Sequence, residues 1–586
     1  MKFSALVSRP SFARKPLCAT NLDDKNLPIE NMIKKIKFKF GSSSTRTAFE
    51  TELTPITVFV GPNNSGKSKM LLEIEEYCKK GKINIQDVIL SELEFSPIVE
   101  KEKEIQKYTL TPKVNETLSP NQIIFGDSKT RHKLDLGTLN SYLSDVEIYK
   151  PYFCNFYLSF NTLRLGGGNR INLIRQQAGG DLQSQPQNIL QVLFQNNQKR
   201  QEVRRIIYDA FKKYFVIDPT KLGDLRIRLS ETPPTNDIEE RGIHDSAVQF
   251  HNKALDITLA SDGVKAFTGI ITTIIAGDPK VILIDEPEAF LHPSLAFNLG
   301  REVSNSVNGS SKNLFVSTHS ANFLMGSIQS GVPINIIRLT YSNNSPTVRI
   351  LPSDKVLKLM RHPLLRSTGV LNGLFYEYVI VTEADADRAF YQEINERLLA
   401  FEPSKGIPNC LFLNAQNKQT IHEIIRPLRE MGIPCAGIVD VDVIKEGGKV
   451  WSNLLSSANV PSVTIQSTAI SRGHLKSAFD AKNVNFKTNG GVEILELPDK
   501  EACNDLFDQL DEYGIFVVRK GELESWLKPL ATTANHSPEW LIEIFEKLGE
   551  DPLSATYVKP STGDIWDFIS KINTWFSNPT RKGTPE

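Results

Sequence analysis

Nowhere in the 586 residues is there a run approaching the roughly 18 uninterrupted apolar side chains that cross a bilayer. A membrane-spanning reading is set aside. Cysteine is scarce and scattered. Cys18, Cys78, Cys154, Cys410, Cys435 and Cys503 stand singly with no CxxC pair, which excludes a zinc knuckle and a disulfide framework and fits a reducing compartment. Net charge is absent too, because 68 basic residues balance 68 acidic ones. That zero hides local patches, so it leaves nucleic-acid binding open. The first twenty-two residues contain no acid and no continuous apolar core of a secretion signal. They read as a basic extension, and the expected location is cytoplasmic.

What is present is an ordinary globular composition, 40% hydrophobic and 23% charged, in a chain too long for one core. The fold class expected is α/β. The expected organisation is a flexible extension at 1–28, a nucleotide-binding unit at 29–352 with a helical insertion at about 85–246, a linker at 353–373, a second α/β unit at 374–530 and a helical segment at 531–586. Ile33 to Phe40 alternates apolar and basic residues with one step out of phase and predicts a half-exposed strand, followed by a turn at Gly41–Thr45. Gln187 to Phe215 reads as one long polar helix. Its basic residues Lys199, Arg200, Arg204, Arg205, Lys212 and Lys213 read as a solvated face, with nucleic-acid or partner contact as the alternative. Pro333 to Leu351 predicts a hairpin turning at Ser342–Ser345.

The apolar strand Ile56–Val60 runs into Gly61-Pro62-Asn63-Asn64-Ser65-Gly66-Lys67-Ser68, which fits G-x-x-x-x-G-K-[ST] between a strand and a helix. Glycines there let backbone N–H groups turn inward around phosphates. Lys67 is placed to reach β/γ oxygens and Ser68 to hold Mg²⁺, with Gly61, Asn63, Asn64 and Gly66 shaping the cradle. A second buried strand, Val281–Ile284, ends in Asp285 and Glu286. Asp285 is expected beside the magnesium, and Glu286 where it polarises an attacking water. Ser261-Asp262-Gly263 opens a helix ahead of that strand, and Ser317-Thr318-His319-Ser320 follows another.

These motifs together resemble the ABC ATPase superfamily in its RecF- and SMC-like branch, with Ser261 and Gly263 at the signature positions and His319 as the switch histidine. The resemblance implies ATP as ligand and a homo-oligomer, because the signature of one subunit completes the nucleotide site of another. The Q-loop glutamine has three candidates, Gln176, Gln177 and Gln183, and nothing selects one.

In the second unit, the strand around Val379–Val381 leads to Glu383, and a helix begins near Asp387. Gly437-Ile438-Val439-Asp440-Val441-Asp442 carries two carboxylates at i and i+2, which in extended chain point to one side. Such strand ends gather oxygen ligands for Mg²⁺ or Mn²⁺, and a metal there stabilises charge on a phosphodiester in transfer. Lys520-Gly521-Glu522-Leu523-Glu524 follows a further strand.

This second set resembles the TOPRIM domain of topoisomerases, primases and OLD nucleases, with Ala384 standing where Gly is usual. By that resemblance Lys520 stabilises the phosphate, and Glu522 or Glu524 completes a second metal position. An ABC ATPase followed by a TOPRIM domain resembles the OLD (overcoming lysogenisation defect) family, a plan shared by Gabija-type nucleases and retron-associated effectors. The resemblance implies a DNA endonuclease of anti-phage defence, dimeric or tetrameric through the ATPase half. It allows a helicase-like protein, or a reverse transcriptase with its DNA, as partner. Two other readings stay open: an ATPase–TOPRIM toxin that cleaves tRNA, and a non-nucleolytic DNA-repair ATPase. A topoisomerase or primase is disfavoured, since no strand-passage region or zinc module accompanies the motifs.

Overall fold

The computed structural model describes residues 31–584 apart from 43–47, 128, 169, 343–344, 364, 366–368 and 531–538. The basic extension at 1–28, most of the Gly41–Thr45 turn, the tip of the hairpin and the start of the C-terminal segment lie outside the described residues.

Strands rich in β-branched residues build the N-terminal half around a six-stranded sheet. Its order is Ser345–Leu351, Ile334–Ser342, Ile56–Val60, Asn313–Ser317, Val281–Asp285, Thr162–Leu165. All neighbours are parallel except the first pair, a hairpin. Ile56–Val60 is buried along its whole length and Val281–Asp285 along its first four residues, as expected for strands covered on both faces. Register then matters for chemistry. Asp285 pairs with Ser317, and Ser317 with Phe59, so the two acidic and hydroxyl groups and the glycine-rich loop share one edge of the sheet. Ligands of open α/β sheets bind at that C-terminal edge.

Ile33–Phe38 is the centre of a small antiparallel sheet between Phe49–Glu52 and Leu90–Phe95. Its pairing slips between Ile33 and Lys35, and that bulge absorbs the step out of phase in the alternation. The insertion is not only helical: it contains the antiparallel strands Thr109–Leu110, Gln122–Gly126 and Arg131–Asp135, and a second pair at Tyr214–Asp218 and Asp224–Ser230.

The long helix read over Gln187–Phe215 is two helices, Ile189–Gln195 and Asn197–Phe211, followed by a strand from Tyr214. Asn196 divides them because its side chain accepts the Lys199 N–H and caps the second helix. Nor is the basic run solvated throughout, although Arg205 and Lys212 are exposed. Arg200 and Arg204 are buried and share Glu240, while Arg205 reaches Glu302. Neither guanidinium of the buried pair is free for a nucleic acid.

The C-terminal half has a four-stranded parallel sheet of order Cys410–Asn414, Tyr378–Thr382, Cys435–Asp440, Ile515–Val518. The segment read as a linker, 353–373, carries the helix Ser353–Arg361 and leads into the 3₁₀ turn Val370–Phe375, and Val356, Leu359, Met360, Val370 and Leu371 are buried. One hydrophobic core therefore continues from Ile336 and Leu351 through Val356 and Leu374 to Val379 and Leu428. In the C-terminal segment, the helices Glu539–Leu548 and Asp564–Ser577 pack Trp540, Trp566 and Phe576 with Ile380 and Phe516 of this sheet.

Candidate nucleotide and metal sites

The glycine-rich loop joins Ile56–Val60 to the helix Lys67–Lys80. Gly61 and Gly66 take φ of 144° and 93°, and a Cβ at Gly61 would strike the Leu339 carbonyl oxygen. Only glycine fits that close approach. Lys67 is turned back into the loop. Its Nζ donates to the carbonyl oxygens of Gly61 at 2.9 Å and Pro62 at 2.7 Å and to Ser65 Oγ at 3.3 Å. Burial pulls its pKa down to about 8 against the attraction of Glu286 and Asp285.

Ser68 Oγ donates to Asp285 Oδ1 at 2.9 Å, and Ser317 Oγ donates to the same oxygen. Glu286 is exposed and left-handed at φ 49°, its N–H held by the Ser317 carbonyl at 2.9 Å. That backbone is costly for a non-glycine residue, and its carboxylate is near enough to act on the Lys67 charge. His319 Nε2 lies 3.9 Å from Glu286 Oε1, and burial, with Lys67 nearby, lowers the pKa of the ring. Ser261 is exposed at the head of the helix Asp262–Gly277. Gly263 lies beneath Phe290, whose carbonyl oxygen would sit 2.6 Å from an added Cβ.

Of the glutamines, Gln176 accepts from Lys221 and Gln177 from the Leu190 N–H. The residue that does reach the acidic strand end is Arg170, missed in the sequence. Its fully buried guanidinium donates to the carbonyl oxygens of both Asp285 and Glu286. The glycine run Gly166–Gly168 just before it was the only local signal.

In the second half, Glu383, Asp440 and Asp442 come together with one oxygen from each within 4.8 Å of the others. They come from the ends of two adjacent parallel strands, Tyr378–Thr382 and Cys435–Asp440. Glu383 Oε1 accepts the Asp440 N–H at 2.9 Å. The convergence of Asp440 and Asp442 has a different cause from the one expected. The strand stops at Asp440, and Val441–Lys445 turns as a 3₁₀ helix, so helical winding rather than strand alternation brings Asp442 round.

Asp387 lies in the first turn of the helix Asp385–Phe401, where it accepts the Ala384 N–H at 2.9 Å. Ala384 has φ −129°, open to any L-residue, so its methyl group costs the loop nothing. Burial, then Asp440, raises Glu383 to about 8 and Asp387 to about 7. Asp440 is pushed up by burial to about 6. Glu524 adds negative charge beside Asp387, and Glu522 beside Asp440.

Two lysines answer this charge. Lys418 Nζ donates to Asp442 at 2.7 Å, and Lys487 Nζ pairs with Asp440 at 2.9 Å and Glu522 at 3.3 Å. Lys520 instead donates to Asp564 Oδ1 at 2.8 Å and lies over the Trp526 ring. The donor set fits a hard divalent cation. It is all oxygen, its charges repel one another, and Asp442 Oδ1 is buried with no hydrogen-bond partner in the protein.

Comparison with known proteins agrees with both halves. Residues 374–442 match the family profile described as "Overcoming lysogenization defect protein-like, TOPRIM domain". Residues 179–325 match that described as "AAA domain, putative AbiEii toxin, Type IV TA system". The chain is thus an ATPase domain followed by a TOPRIM domain. That pairing resembles the plan of the OLD family of ATPase–TOPRIM nucleases, and the chain matches the two domain profiles over part of its length. It is 25% identical to Old nuclease of Escherichia phage P2 over 261 residues, 42% of this chain and 43% of that relative. The match therefore spans less than half of Old nuclease.

Among solved structures, the SMC head bound to the C-winged helix domain of ScpA aligns over 56% of this chain and 99% of its own. Its identity is 12% and its TM-score 0.33. The SMC head domain from Thermotoga maritima aligns over 55% of this chain and 99% of its own, at 13% identity and a TM-score of 0.28. Likeness this loose carries no functional weight.

Proposed function

We propose that this chain is an ATP-regulated, metal-dependent DNA endonuclease of the OLD type, acting in anti-phage defence. The observation that carries the reading is the meeting of Glu383, Asp440 and Asp442 within 4.8 Å, with Asp387, Glu522 and Glu524 around them. Half-buried like charges gathered at and just past strand ends are costly for a fold and useful to a metal. Glu383, Asp440 and Asp442 would hold one Mg²⁺ or Mn²⁺, and Asp387, Glu522 and Glu524 would serve a second. When bound, such ions activate a water and neutralise charge on the phosphodiester. The protein's part is to fix the carboxylates and exclude competing ligands. Lys520 by family resemblance, or Lys487 by position, supplies the cation for the phosphate.

In the ATPase half, Lys67 would exchange its carbonyl partners for the β/γ oxygens of ATP, and Ser68 with Asp285 would hold Mg²⁺. Glu286 orients the attacking water, and His319 reads the γ-phosphate. Two copies complete the site, Ser261 and Gly263 of one facing Lys67 of the other. Regulation has a short physical path. The His319 ring centroid is 6.2 Å from that of Phe375, which closes the 3₁₀ turn ahead of the strand Tyr378–Thr382 that leads to Glu383. Arg338, one strand from the glycine-rich loop, donates to the Tyr376 carbonyl oxygen at 2.8 Å.

Incubating the purified protein with plasmid DNA or tRNA, with Mg²⁺ or Mn²⁺ and with or without ATP, tests the reading. Metal-dependent nicking of DNA lost in Glu383→Ala supports it. Cleavage of tRNA alone moves the substrate to RNA, and ATP hydrolysis with no cutting at all overturns the nuclease.

A further inference from the structure

Resting on the metal-site reading above, we propose that Lys487 is a built-in counter-ion of the carboxylate site. Its ammonium holds the place between Asp440 and Glu522 while no divalent ion is bound. It yields that place to the ion and then contacts the phosphate of the strand to be cut.

The geometry begins with two glycines. A Cβ at Gly521 would run into the Lys487 carbonyl oxygen, and one at Gly491 into the Arg519 carbonyl oxygen. Both glycines have positive φ, 133° and 59°. The loop that carries Lys487 is therefore seated directly on the Arg519–Gly521 turn, and Val492 N–H donates to the Arg519 carbonyl oxygen at 2.9 Å to hold it there. The Gly521 carbonyl oxygen in turn accepts the Val441 N–H at 3.0 Å, tying the same turn to the Asp440–Asp442 segment. This chain of contacts delivers Nζ to 2.9 Å from Asp440 and 3.3 Å from Glu522, with about 30% of the side chain still open to solvent. An ammonium that is both paired with the ligands and open to solvent can turn from one anion to another.

The other two lysines are placed differently. Lys520 sits against Asp564, whose second oxygen accepts the Leu527 N–H at 2.9 Å, so it fastens the last long helix to the Lys520–Leu527 loop. Lys418 pairs with Asp442 and Glu446, close neighbours on one short segment. Lys487 alone of the three joins a carboxylate of the 4.8 Å cluster to one of the Glu522–Glu524 turn. It stays protonated throughout and transfers nothing, so its whole contribution is charge at a fixed place.

A counter-ion and a merely structural lysine respond differently to loss of charge. The full-length protein, with Lys487→Met, Lys487→Gln, Lys487→Arg and Lys520→Met, is titrated with Mn²⁺ in the absence of nucleotide and nucleic acid. Free Mn²⁺ is read by electron paramagnetic resonance, and folding by thermal melting. Plasmid nicking is then measured at saturating Mn²⁺. Removing a competing charge next to the ligands tightens Mn²⁺ binding about tenfold in Lys487→Met and Lys487→Gln. Nicking at saturating metal falls in the same variants by about a hundredfold, as when a fixed transition-state donor is lost.

Lys487→Arg keeps wild-type Mn²⁺ affinity, and so does Lys520→Met, which loses melting temperature instead. Tighter metal together with slower cutting supports the proposal. Unchanged Mn²⁺ affinity in the neutral variants overturns it, as does wild-type nicking at saturation. If the wild-type protein cuts nothing, the nuclease reading fails by itself, and the Mn²⁺ titration still decides whether Lys487 is the counter-ion.

Discussion

The two acidic sites of this chain are built in opposite ways. In the ATPase half a single loop makes most of the cradle: Gly61 to Ser68 are consecutive, and the internal lysine is parked on carbonyl oxygens of its own loop. In the TOPRIM half no stretch of eight residues makes anything. Glu383, Asp387, Asp440, Asp442, Lys487, Glu522 and Glu524 span more than a hundred residues and meet only through sheet register and glycine-seated loops. A site for a polyphosphate needs many aligned backbone donors, which one helix N-terminus supplies. A site for divalent ions needs several carboxylates against their mutual repulsion, which no local segment can hold together.

That contrast is sharpest at Glu383. Glu383→Gln should lower metal-dependent nicking by about three orders of magnitude while ATP hydrolysis stays at the wild-type level. Nicking rate and phosphate release on the same preparation measure both. Loss of both activities together would show the two sites to be one unit.

The mirror change is Lys67→Ala, which should weaken ATP binding roughly a hundredfold and leave Mn²⁺ affinity at the carboxylates unaltered. Fluorescent-nucleotide titration and Mn²⁺ titration separate the two effects. Phe375→Ala tests the bridge between the sites. Hydrolysis and nicking should each persist, but the ratio of nicking with and without ATP should move towards one, since the His319 ring loses its contact with the turn before the Glu383 strand. An unchanged ratio removes this route from the account.

The carboxylate repulsion also has a pH signature. Glu383, Asp387 and Asp440 have folded pKa values raised to about 8, 7 and 6, above those of the unfolded chain. Such groups favour the fold fully below the ordinary carboxylate range. The contribution is lost as pH rises through about 6 to 8, because the folded protein then has to give up protons it holds more tightly. A divalent ion replaces those protons. The rise in melting temperature on adding Mg²⁺ to chelator-treated protein should therefore be larger at pH 8 than at pH 6. Equal rises at both would mean that the carboxylates are not the binding site.

The smallest effect is expected at the covalently distant but buried Arg338→Met. It leaves the Tyr376 carbonyl oxygen without its donor and should cost about 1–3 kcal/mol of stability, read in a denaturant melt.

Legibility followed the same divide. Ile56–Val60, Lys67–Lys80 and Ile515–Val518 fall where periodicity and the flanking glycines put them, because burial on both faces of a parallel strand leaves a plain apolar run. Arg200 and Arg204 were misread as solvated, since nothing near them in the chain announces Glu240, the carboxylate that makes their burial tolerable. Lys487 was passed over for Lys520, because a motif is read along the chain, whereas Lys487 arrives from a loop thirty-three residues upstream.

Local chemistry alone determined that the chain has a phosphate loop, an acidic strand end to serve it, and carboxylates at the ends of two later strands. Those are short-range facts, set by hydrogen-bonding capacity and the two-residue period of a strand. Which cation faces which carboxylate, which arginine braces Asp285, and how the histidine of one half comes to touch the aromatic ring before the glutamate of the other were decided by tertiary packing. Electrostatic pairing depends on distance in space, and one-dimensional order does not contain it.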